Sequence, residues 1–216
     1  MLARFDDGSE RAEMHVDELV GALIEDEPAW SPGLRDGLQR YLAIQKMLDD
    51  PTIDVARNDD FQRVFGVFYR VRRDASWRRK FFELMQRYRQ DPPSFEAVLH
   101  ELAGGLTRCE PSFSSKLAAS LNPDLPVYDS RVVAIMRFAQ MPDPRNWSYP
   151  TGTLSERVHR AEELYRSLNR AIETIRASRH FRALTSAFDE RHNSGRLLTD
   201  TKKLDLVLWQ ARVAAR

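Results

Sequence analysis

The sequence predicts an all-α protein, and three observations carry that prediction. Apolar residues recur at helical spacing almost throughout the 216 residues. Alternating strand-like runs are nearly absent, and each apolar stretch ends at proline, glycine or a capping residue. A chain of this length can bury a sizeable core, so one compact unit is expected, divisible at most into lobes of residues 1–105 and 106–216.

Taken in order, Val16, Leu19, Val20, Leu23 and Ile24 mark a first helix, and Leu34, Leu38, Tyr41, Leu42 and Leu48 a second. Phe61, Val64, Phe65 and Phe68 mark a third, and Trp77, Phe81, Leu84, Met85 and Tyr88 a fourth. Pro92-Pro93 stops that stretch. Ser94 can cap the next helix, through Phe95, Val98, Leu99 and Leu102, and Gly104-Gly105 closes it. From Ser112 onward the chain reads as a short helix, a loop punctuated by Pro123 and Pro126, and a helix opened by Asp129. That helix carries Val132, Val133, Ile135, Met136 and Phe138 until Pro142 and Pro144 break it. After a loop to about Gly152, a long charged helix over 154–175 presents Val158, Leu164, Leu168, Ile172 and Ile175. Phe181, Leu184 and Phe188 mark a further helix, and Asn193-Ser194-Gly195 a turn. Asp200 can cap a final helix through Leu204, Leu206, Val207, Leu208 and Trp209, whose apolar character predicts burial.

The formal net charge is only +1, yet the signs are unevenly distributed. Residues 1–30 hold Arg4 and Arg11 against Asp6, Asp7, Glu10, Glu13, Asp17, Glu18, Glu25, Asp26 and Glu27. Residues 63–90 reverse this, with Arg63, Arg70, Arg72, Arg73, Arg78, Arg79, Lys80, Arg87 and Arg89 against Asp74 and Glu83. A basic patch of this kind attracts polyanions whatever the whole-chain charge. The acidic head either serves solubility or covers the patch in the absence of a ligand.

The single cysteine, Cys109, can form no intramolecular disulfide and reads as a small packing residue. The N-terminus lacks the plan of a secretory signal, so the cytoplasm is the expected compartment. No apolar run approaches the roughly 20 residues that cross a bilayer. His15, His100, His159, His180 and His192 lack ligand spacing, and one cysteine cannot hold an iron–sulfur cluster. Neither metal nor cofactor is expected, and a monomer is the simplest state.

The stretch from Ser112 to Val132 bears the chemistry. An aspartate at a helix start meets free backbone N–H groups and the positive end of the helix dipole, so Asp129 should stay ionised and fixed in direction. Such an anion suits a cation-like transition state; the plainer role is a helix cap worth about 1 kcal/mol, and the two are compatible. Within Phe68–Phe82, aromatics interleave with bases, as where cations meet phosphates and rings stack on bases. Phe81 and Phe82 read as core. Arg70, Arg72, Arg73, Arg78, Arg79 and Lys80 read as a backbone clamp or as a solvated face.

Ser114-Ser115-Lys116-Leu117 followed by Leu125-Pro126-Val127-Tyr128-Asp129-Ser130-Arg131-Val132 resembles the core of the helix-hairpin-helix DNA glycosylases, with their 8-oxoguanine glycosylase-like fold. The resemblance covers about a tenth of the chain. It implies a two-lobed helical bundle, a helical hairpin gripping double-stranded DNA, and Asp129 as the catalytic carboxylate beside a pocket for a flipped, damaged or modified base. Arg108, Ser112, Ser114, Lys116 and Arg131 become DNA-contacting candidates, and Tyr128, Phe113, Trp147 and Trp209 candidates to line the base pocket, each with a structural alternative. The chain departs from the family pattern twice. Leu106 to Phe113 stands where a glycine-rich turn is usual, and Lys116 lies one turn beyond the usual Schiff-base lysine. A monofunctional hydrolase is therefore expected, with Lys116 a nucleophile, a phosphate contact or a surface lysine. A non-catalytic nucleic-acid-binding module and a helical protein-interaction domain are the rival expectations.

Overall fold

The computed structural model describes residues 8–139, 141, 147–193 and 197–211, with the side chains of residues 8–15, 27 and 28 left aside. Among them lie α1 (Gly8–Glu25), a single 3-10 turn (Glu27–Trp30), α2 (Pro32–Asp49), α3 (Asp59–Phe68), α4 (Ala75–Arg87) and α5 (Phe95–Leu106). There follow α6 (Pro111–Leu121), α7 (Ser130–Phe138), α8 (Leu154–Ala177), α9 (Phe181–Arg191) and α10 (Asp200–Gln210). The described residues contain no strand, so the chain is all-α. None of the described helices is long and apolar enough to cross a membrane.

Local chemistry sets most helix starts. The side chains of Asn58, Asp74, Ser94 and Thr153 each accept a backbone N–H at the open end of α3, α4, α5 and α8. Glu156 returns the bond to the Thr153 N–H at 2.8 Å, completing a capping box. Helical spacing then gathers the rings. Phe61 and Phe65 of α3 meet Phe81 and Phe82 of α4, all 0 % exposed, with Phe65 5.6 Å and 5.5 Å from the two α4 rings. Burial of each such side chain contributes about 1.5–3 kcal/mol.

Three boundaries differ from expectation. α5 runs through Gly104 and Gly105, which lie open on the surface, and ends instead at Thr107, whose φ of 53° takes the left-handed conformation. α10 is capped by Thr199, which accepts the Lys202 N–H at 3.2 Å, so Asp200 is its first residue rather than its cap. α4 ends at Arg87, ahead of Pro92-Pro93. The break at Pro142 and Pro144 and the turn at Ser194-Gly195 lie outside the described residues, as do Arg4, Asp6 and Asp7 and the side chains of Glu10, Arg11, Glu13 and Glu27.

Packing crosses the boundary expected after residue 105. α1 packs on α8 and α9, α5 on α6 and α8, and α10 on α2, α7, α9 and the 3-10 turn. The acidic head accordingly faces the C-terminal half. Asp17 pairs with Arg179 at 2.8 Å and accepts the Ser178 hydroxyl at 2.5 Å. The enclosure of α10 by these neighbours positions the site.

Candidate functional site

α5 and α6 pack on each other through a short connection at residues 107–110, and α6 leads by residues 122–129 into α7. That second connection is fixed almost atom by atom. Thr199 donates to Pro123 O at 2.8 Å and Tyr165 to Pro126 O at 3.0 Å. Val127 N–H meets both oxygens of Asp205, at 3.3 and 3.2 Å, and Tyr128 N–H donates to Ser115 Oγ at 2.9 Å. Asp129 then accepts the Arg131 N–H at 3.0 Å and opens α7. Partners on α6, α8 and α10 thus aim one carboxylate.

The carboxylate faces a cavity of about 200 Å³ between the end of α3, α6, the start of α7 and α10. Phe68, Phe113, Val132, Leu206 and Trp209 give it apolar walls, and Arg70 and Arg131 stand with Trp209 in its lining. Lys116 projects into it from α6. Its ammonium lies 3.4 Å from Asp129, with side-chain exposures of 10 % and 16 %. The ammonium also reaches Tyr69 O at 3.5 Å and sits 5.3 Å from the Phe113 ring. Burial pulls the Lys116 pKa below the ordinary lysine value, although Asp129 opposes it by charge and hydrogen bond, and the Arg70 charge adds to the downward shift. The reading of Lys116 as a surface lysine is thereby corrected, because α6 turns it inward between α3 and α7.

A second lysine–aspartate pair lines the same cavity. Lys202 and Asp205, one turn apart on α10, meet at 3.0 Å with exposures of 2 % and 6 %. Burial alone would favour neutral Lys202, but Asp205 and the nearby tyrosines outweigh it and hold the pKa above the ordinary lysine value. The Tyr41 ring lies 5.2 Å from the same ammonium. The sequence reading missed this pair, since it took the burial of this helix from its apolar residues alone and left its charges unassigned.

The remaining sequence candidates divide. Phe113 and Trp209 line the cavity. Tyr128 does not: it is 6 % exposed, with burial and the neighbouring Tyr149 pushing its pKa up to about 12. Trp147, 1 % exposed, is likewise core, so both leave the base-pocket set. Ser114 is 0 % exposed and donates to Glu110 O at 2.9 Å, which removes it from the DNA-contacting set. Ser112 is half-buried, its carbonyl accepting the Ser115 hydroxyl at 2.9 Å. Arg73 binds Glu110 at 2.8 Å and lies 5.1 Å from the Phe113 ring, joining the α3–α4 connection to α6. Lys80 donates to Gly105 O beside Glu83 and Glu101. Arg72, Arg79 and Arg108 are exposed and Arg78 half-buried, none lining the cavity. Cys109 is buried, and burial pushes its thiol pKa up, as befits packing.

No protein-family model, no curated protein and no solved structure matches this chain.

Proposed function

We propose that this chain is a DNA glycosylase of the helix-hairpin-helix kind, cleaving the N-glycosidic bond of a flipped, damaged or modified base. One observation carries the reading: Asp129 is fixed at a helix start, partly open to an aromatic-walled cavity, with Lys116 3.4 Å away. In the reaction, water attacks the sugar C1′, the C1′–N bond breaks, its electron pair leaves with the base, and the proton lost by the water neutralises that base. Positive charge builds on the sugar, and a carboxylate held nearby lowers its energy. The nucleotide must first leave the stack, at a cost of a few kcal/mol that favours damaged or modified bases. Phe113 and Trp209 offer rings for it to rest on. A base of the host genome and a bulky modified base of foreign DNA, hence repair and genome defence, fit this chemistry equally.

The burial of Lys116 favours a second reading of the bond-breaking step. Its neutral amine attacks C1′ as the C1′–N bond breaks and the base departs with the bonding pair; Asp129 takes the amine proton and passes it to O4′ as the C1′–O4′ bond opens, giving an iminium that water hydrolyses to free the lysine. Hydrolysis and imine chemistry share the cavity and differ in the nucleophile.

Genomic and phage DNA incubated with the native protein and with Asp129→Asn, with freed bases identified by mass, tests the proposal. Native protein should release a base, and Asp129→Asn should lose about a hundredfold or more in rate while still binding DNA. Binding without release from any DNA would instead leave a nucleic-acid-binding module. Binding that ignores salt would favour a protein-interaction domain, because each neutralised phosphate adds to the salt dependence.

A further inference from the structure

Arg70 occupies a backbone position that glycine would fill with less strain. At the end of α3, Tyr69 N–H bonds Phe65 O at 2.9 Å and Val71 N–H reaches back to Gly66 O at 2.9 Å, a Schellman-type stop. Between them Arg70 takes a φ of 54°, in the left-handed region that side chains with a Cβ adopt at a cost. Thr107 is the other non-glycine with positive φ among the described residues. Strain of this kind persists where the rest of the structure, or a ligand, makes use of it.

Within the fold the Arg70 side chain meets a ring and no partner charge among the described residues. It is exposed at the cavity, its guanidinium 5.1 Å from the Trp209 ring, and it pairs with no carboxylate among the described residues. Lys116 is matched by Asp129, and Lys202 by Asp205. The Arg70 charge therefore stands in excess, at the lining of a cavity whose carboxylates are already answered. Arg131, 5.5 Å from the same indole, is anchored by its bond to Trp209 O at 2.8 Å. A planar fork of donors, aimed at a cavity by a strained backbone, fits a phosphate group.

We propose that Arg70 binds a phosphate of the nucleotide whose sugar lies against Asp129, and that the left-handed backbone is kept because it aims the guanidinium there. The identity of the ligand as a nucleotide rests on the excision reading; the phosphate chemistry does not. The phosphate comes either from a polynucleotide backbone or from a free sugar phosphate.

The native protein, Arg70→Gly and Arg70→Lys are compared by thermal melting and by titration with a duplex carrying one tetrahydrofuran abasic site, and separately with deoxyribose 5-phosphate. Arg70→Gly should melt at or above the native temperature, since glycine relieves the backbone, while duplex affinity falls about tenfold and the salt slope shrinks by about 0.9. Arg70→Lys should recover part of the affinity, keeping the charge without the fork. Loss confined to deoxyribose 5-phosphate would assign the site to a free phosphate. Affinities of Arg70→Gly equal to native for both probes would overturn the proposal, as would a drop in its melting temperature, which would make Arg70 a structural residue. Failure of the excision reading shows separately: native protein frees no base from any DNA, while phosphate binding still depends on Arg70.

Discussion

Two lysine–aspartate pairs line one cavity, and they are built to opposite ends. Lys202 and Asp205 lie one turn apart on a single helix, 3.0 Å from each other, with the Asp205 oxygens also receiving Val127 N–H and the Lys202 ammonium facing the Tyr41 ring. Lys116 and Asp129 come from two helices, stand 3.4 Å apart and are more open. The environments push the two lysines in opposite directions, Lys202 toward a permanent charge and Lys116 toward neutrality. The difference teaches that a buried ion pair with saturated partners serves as a mount, whereas a more open one leaves its amine and carboxylate facing the cavity. Asp205 holds the backbone two residues before Asp129, so the closed pair positions the open one.

The largest effect should follow from breaking the closed pair. Lys202→Met leaves Asp205 buried without its counter-charge and should cost about 3–5 kcal/mol of stability, read as a lower urea midpoint. Adding Asp205→Leu should recover much of that, since the uncompensated charge is gone. The mirror experiment on the open pair should leave stability nearly untouched: Asn caps a helix as well as Asp, so Asp129→Asn should stay within about 1 kcal/mol of native while base release collapses. Equal destabilisation by both substitutions would erase the contrast.

The nucleophile sharpens it next. If the Lys116 amine attacks the sugar, borohydride should trap a covalent protein–DNA adduct, and Lys116→Gln should abolish it. Because burial depresses the Lys116 pKa, the free amine accumulates as pH rises, and trapping should increase toward a plateau whose midpoint lies below 10.5. Base release without any adduct would leave hydrolysis as the step. The smallest effect concerns His192, outside the cavity, whose pKa burial lowers and Arg35 and Arg191 lower further. The unfolded chain then takes up its proton more readily than the folded one, so this contribution to stability is complete above pH 6.5 and is lost as pH falls from there toward the folded-state pKa. His192→Phe should flatten that slope in urea midpoints measured at about pH 5 and 7.5.

The helices were legible because their apolar spacing and caps are local properties. Asp129 was legible for the same reason, as a loop residue opening a helix. Lys116 was legible as a candidate but its burial was not, since position relative to a family pattern says nothing of which way a helix turns its side chains. The Lys202–Asp205 pair left a faint signal: α10 carries apolar residues around most of its circumference, so some charges had to point inward once neighbours enclosed it. For Tyr128 and Trp147 the structural alternative holds, because adjacency in sequence and membership of a loop do not decide whether a ring faces a cavity or the core. The strain at Arg70 had no sequence signature, since an ordinary arginine there reads as one more cation in a basic run.

The tethering of residues 122–129 has a consequence for how the molecule comes into being. The partners of Pro123 and Val127 lie 76 and 78 residues further along the chain. A polypeptide emerging from the ribosome with α6 and α7 already helical would hold its acidic group on an unmoored span until α10 arrives and docks. On the proposed excision reading, the carboxylate would take its place at the cavity only at the end of assembly, and a partly made chain would lack the built site.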